Sequence, residues 1–102
     1  SLEHQQPPTA IFAASDDMAL EAISVILEKG LKVPDDISVI GFDDNPASLY
    51  GPVALTTVRQ PLFRMAEESV KCLNSLIQNR KDGLIKNILE PELVIRDSCM
   101  PL

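Results

Sequence analysis

Two short runs of branched and apolar residues flank a helical stretch, and this order constrains the chain more than any other feature. The first run, PTAIFAAS from Pro8 to Ser15, opens on proline and stops at polar residues. Its Ile-Phe centre suits a strand buried on both faces. The second, ISVIGFDD, follows the turn LKVPDD, in which Pro34, Asp35 and Asp36 break the chain direction. Between them, in DDMALEAISVILEKG, Ala19, Ala22, Ile23 and Ile26 recur at the spacing of one helical face, and Gly30 supplies a left-handed stop. Strand, helix and strand within about thirty residues form a βαβ unit, whose strands are parallel and whose crossover is right-handed.

In such a sheet, ligands gather where the strands end at their carboxyl sides. Both strands here end in the same chemistry, Ser15-Asp16 after the first and Asp43-Asp44 after the second. Carboxylates on that rim can accept hydrogen bonds from a ligand's hydroxyl or N–H groups, each worth roughly 1.5–3 kcal/mol. The residues leave a second role open for each: Ser15 or Asp16 as the cap of the helix, and Asp44 as the stay of the following turn. Asp43 ranks first as a ligand contact because it is expected to be the first residue past the buried strand.

Further along, NPASLYGPVA reads as a turn-rich loop carrying the bulky Leu49 and Tyr50, and LTTVRQ as a short strand. Pro61 is expected at the first position of a helix. From it, Leu62, Met65, Ala66, Ser69, Val70, Leu73, Leu76 and Ile77 trace one stripe, with Glu67 and Lys71 able to pair on the outside. NRKDG is expected to end that helix. The tail NILEPELVIRDSC is expected to run extended at an edge, interrupted by Pro91. Leu20 and Leu27 add a second stripe to the first helix, so that helix is either buried in its own domain or shared with a second chain.

Composition narrows the function. A formal charge of −6 from nine basic and fifteen acidic residues opposes phosphate binding, so this chain alone is not expected to hold DNA. Arg80 and Lys81, the densest basic group, read as a solvated loop. The two cysteines, Cys72 and Cys99, lie far apart, with no CxxC and no nearby histidine for a metal site, and are expected as free thiols. With four scattered glycines there is no phosphate-cradling motif, so no nucleotide cofactor is expected. The single histidine, His4, falls in residues 1–7, a start expected to fray, which leaves a Ser-His-Asp or Cys-His nucleophile without its base. No run approaches a membrane span in length, and the stretch SLEHQQPP has neither the basic nor the apolar region expected of a signal peptide.

The segments PTAIFAASDDMALEAI, GLKVPDDISVIGFDD, LTTVRQP and LEPELVIRDSC, in this order and spacing, resemble the C-terminal part of the effector-binding domain of LacI/GalR-family transcriptional regulators. VPDDISVIGFDD and LTTVRQP are more specific to these repressors than to the related periplasmic sugar receptors. The resemblance implies a periplasmic-binding-protein-like, Rossmann-like α/β fold. Residues 8–98 would form part of an effector-binding and dimerisation domain: a βαβ unit, an amphipathic helix and an extended tail. It implies a cytoplasmic homodimer that binds a sugar or nucleobase, and operator DNA contacted through a domain absent from this chain. Carried over by position, it places effector contacts at Asp43, at Ser15 and Asp16, and at Gln60, with Ser15 standing where the family has asparagine. Leu20 and Tyr50 fall on the family's dimer surface. The resemblance leaves two rivals: a solute receptor of a membrane transporter, which shares the fold, and an acid–base enzyme working through Asp43 or Asp16.

Overall fold

The computed structural model describes residues 8–78 and 88–101; His4, Arg80, Lys81 and the segment NRKDG lie outside them. The chain forms two compact units, leaving the first after Arg59 and returning to it at Leu93.

The first unit is built on the expected βαβ core. β1 (Ala10–Phe12) and β2 (Ser38–Ile40) run parallel, with Ala10 opposite Ser38 and Phe12 opposite Ile40. A parallel bridge from Ile40 to Thr56 leads towards β3 (Thr57–Arg59), which pairs with β4 (Glu92–Val94). The backbone links Gly41 N to Thr56 O at 2.9 Å and Val39 N to Ser98 O at 2.9 Å continue the lattice beyond the named strands.

α1 (Asp16–Glu28) starts where its cap predicts. Ser15 is in extended conformation and its hydroxyl accepts from Met18 N at 3.2 Å, while Asp16 and Asp17 place negative charge in the first turn. Gly30, at φ +78°, closes the other end. Ala19, Ile23 and Ile26 are buried and pack with Ala13, Val33, Ile37, Val39 and Leu55 as one core, while Ala22 is only half-buried. In the turn before β2, Asp36 accepts from Lys32 N at 2.7 Å. The expectation that β1 is buried on both faces does not hold among the described residues. Ile11 faces the core and Phe12, one step of the pleat away, is 64% exposed.

The second unit carries α2 (Leu62–Ile77). Pro61 stands at its cap, one residue earlier than expected, and Met65 N reaches Pro61 O at 2.9 Å. Lys71 pairs with Glu68 at 3.6 Å instead of with Glu67. The apolar stripe is present, but no residue of α2 is buried. A shallow groove lies along it, lined by Met65, Glu68, Ser69, Cys72, Leu73, Leu76 and Leu89. In the tail, Glu92–Val94 is the strand, and Ile88-Leu89 takes no regular form. Cys72 and Cys99 are free thiols.

Candidate functional site

β2 delivers the chain to its carboxyl end through Gly41, where a side chain has no room. A Cβ there would meet the Asp16 carboxylate and would lie 2.7 Å from Leu55 Cδ2. The backbone then turns through two left-handed residues, Asp43 at φ +113° and Asp44 at φ +55°. Neither is glycine, so each position costs about 1–3 kcal/mol and persists only because its surroundings impose it.

Those surroundings form a continuous polar network. Asp43 N donates to Val58 O at 2.8 Å, and Asp16 N donates to Phe42 O at 3.0 Å. Asp16 is wholly buried: one carboxylate oxygen accepts from the Thr57 hydroxyl and the other from Asn45 N, both at 2.6 Å. The same Thr57 oxygen accepts from Asp44 N at 3.3 Å. Asn45 Nδ2 reaches Asp17 at 3.4 Å, whereas its buried Oδ1 has no partner in the structure.

Asp44 forms the second knot. Arg59 Nε donates to its Oδ2 at 2.8 Å, and Arg96 Nη2 to its Oδ1 at 2.8 Å. The Ser48 hydroxyl donates to the same Oδ1 at 3.1 Å and accepts from Arg96 Nη1 at 2.8 Å. Burial pushes the Asp44 carboxyl up, but the bonds from Arg59, Arg96 and Ser48 outweigh it and hold the group below the ordinary carboxylate value.

The expected site residues therefore separate. Asp43 is exposed at the strand end. Ser15 is half-buried and serves as the α1 cap. Asp16 is buried, and each of its oxygens accepts a 2.6 Å bond, so it braces the loop that carries Asp43. Gln60 is half-buried and belongs to the second unit. Leu20 packs on the core and against the Gly51 backbone, whereas Tyr50, just past the 3-10 turn Pro46–Leu49, is 81% exposed. A largely apolar groove on α1 is lined by Asp17, Met18, Glu21, Ala22 and Val25. Thr57 and Arg96, which complete the network, lie 41 residues from Asp16 and 52 residues from Asp44 respectively. The one local hint in the sequence is a charged residue set in the apolar run LVIRD. Among the described residues no cluster of His, Cys, Asp or Glu could hold a metal ion, and no helix is long and apolar enough to cross a membrane.

Residues 1–99 match the model of the periplasmic binding protein-like domain, and the chain belongs to that family. Within it, the likeness to LacI-family transcriptional regulators implied by the sequence motifs holds. The chain is 52% identical over 99 residues to the HTH-type transcriptional regulator MalR of Clostridium butyricum, an alignment covering 96% of this chain and 29% of the regulator. A lac repressor dimer solved with operator and the anti-inducer ONPF superposes with a TM-score of 0.83 at 38% identity, over 92% of this chain and 32% of the repressor. A LacI-family regulator from Lactobacillus casei solved with sucrose gives a TM-score of 0.75 at 36% identity, over 90% of this chain and 34% of that one. The chain thus spans about a third of the length of the regulators it matches.

Proposed function

We propose that residues 8–98 are the C-terminal portion of the effector-binding and dimerisation domain of a LacI-family transcriptional repressor responding to a sugar or nucleobase. The observation that carries this reading is the exposed carboxylate of Asp43, presented at the carboxyl end of a parallel strand pair on a backbone held in left-handed conformation. Asp43 accepts bonds from the effector, Ser15 lies on the same rim, and Gln60 is a further contact. Asp16 acts through the loop it braces. Leu20 and Tyr50 belong to the homodimer surface. Operator DNA is read by another domain of the complete protein, consistent with the charge of −6 on this part and with a cytoplasmic location. The effector acts by binding two states of the repressor unequally.

The test is calorimetry on the complete protein with a panel of mono- and disaccharides, sucrose among them, and nucleobases. Replacing Asp43 by alanine is expected to weaken the bound member by about 10- to 100-fold, the equivalent of one charge-assisted bond, with the dimer intact by sedimentation. Equal affinity in the two proteins would remove Asp43 from the site and the reading with it.

A further inference from the structure

The Asp44 carboxylate is held by an arginine from each of the two segments through which the chain leaves and re-enters the first unit. Arg59, on its Oδ2, is the last residue of the first unit before the chain departs. Arg96, on its Oδ1, comes shortly after the chain returns at Leu93. Arg96 is nearly buried, with a side chain 15% exposed, and it also donates to Leu55 O at 3.0 Å and Ser48 Oγ at 2.8 Å. The outgoing strand, the returning strand and the turn after the loop therefore converge on one side chain, adjacent in sequence to Asp43.

Asp43 and Asp44 both occupy left-handed backbone, a conformation that residues other than glycine keep only when neighbouring groups over-determine it. The backbone ties Asp43 through its N–H to Val58 O. The ion pairs at Asp44 add constraint from the side.

We propose that Asp44, Arg59 and Arg96 form a positioning clamp that ties the placement of the Asp43 carboxylate to the two crossing strands, and so sets the affinity of the effector site. The clamp rests on the reading of Asp43 as the effector contact. By linkage, a movement of either strand alters the site, and a ligand on Asp43 bears on both strands. The three residues are positioning groups; none needs to touch the ligand. Arginine suits the task at both ends because it remains charged and its planar fork fixes direction as well as distance.

The experiment is residue-resolved amide hydrogen exchange on the complete protein, paired with calorimetry using sucrose. In Asp44→Asn and in Arg96→Gln, the amides of Asp43 and Asn45 are expected to exchange about tenfold faster or more, while those of Ile23 and Ile26 in α1 keep their protection. Arg96→Lys should restore part of the slow exchange. Arg96→Gln added to Asp44→Asn should change the loop less than about twofold further, because both act through one carboxylate. Sucrose binding is expected to weaken about tenfold in Asp44→Asn. Loop exchange that is unchanged, or that rises equally in α1, overturns the clamp. So does sucrose affinity that stays constant while the loop loosens. Should Asp44→Asn fail to fold, Arg59→Gln decides, because its side chain is half-exposed, and an unaltered loop there overturns the proposal. Absence of sucrose binding by the unaltered protein overturns sucrose as the ligand of Asp43, and the exchange comparison then decides the clamp by itself.

Discussion

α1 and α2 both carry an apolar stripe, and they end in opposite states. The stripe of α1 is buried through Ala19, Ile23 and Ile26, which meet Val39 from β2 and Leu55 from the chain leading to β3. The stripe of α2 has no buried member: Val70, Leu73, Leu76 and Ile77 are each more than half exposed. Amphipathic spacing thus specifies which face of a helix can be covered, while burial depends on a complementary surface. The first unit has one because the parallel pair presents Ile11, Ala13 and Val39 on the face that α1 covers. The polar network follows the same division, since Asp16, Thr57, Asp44 and Arg96 all belong to the first unit.

Substitutions can break this contrast. The largest effect is expected from Asp16→Ala, which orphans the Thr57 hydroxyl and Asn45 N in a closed site. At about 1–3 kcal/mol for each unsatisfied group, a loss near 4 kcal/mol should appear in chemical denaturation. A loss below about 1 kcal/mol would mean that water replaces the carboxylate there. Next, Ile23→Ala removes a fully buried side chain and should cost about 3 kcal/mol by the same measurement.

A smaller effect depends on pH. The Asp44 pKa is depressed in the folded chain, so its ion pairs add stability above the unfolded carboxyl value of about 4. That stability is lost as pH falls from there through the lower folded value. The melting temperature of the unaltered chain should therefore exceed that of Asp44→Asn at pH 7, and the gap should narrow at pH 3. A gap of constant width would show that the ion pairs contribute nothing through their charge. The smallest effect is expected from Leu73→Ala in α2, within about 0.5 kcal/mol because the side chain is exposed. A cost equal to that of Ile23→Ala would show that the α2 stripe is covered in solution.

Much of the first unit is legible from local signals. Ser15 as the cap, Gly30 as the stop, the buried face of α1 and the parallel pairing each arise from interactions within one element or between adjacent ones. Differences appear where distant groups intervene. Phe12 looks like a core residue because it is apolar and set in a strand, yet alternation turns it away from α1. Asp16 and Asp43 look equivalent in sequence, each following a strand, but Asp16 begins a helix and is drawn under the loop while Asp43 stays on the rim. Asp44 does stabilise its turn, one of the two roles its position allowed, through an arginine 52 residues further along the chain.

The sequence by itself determined the order of elements, the parallel βαβ unit, the family, and the acidic character of both strand ends. Local hydrogen bonds and the 3.6- and 2-residue periods are written into short stretches of chain. Only the tertiary structure decided which carboxylate is buried beneath the loop, which is paired with two arginines and which is exposed. That choice turns on Thr57, Arg59 and Arg96, whose distances from the acidic pairs are set by folding, and on desolvation, which exists only once the chain has closed around them.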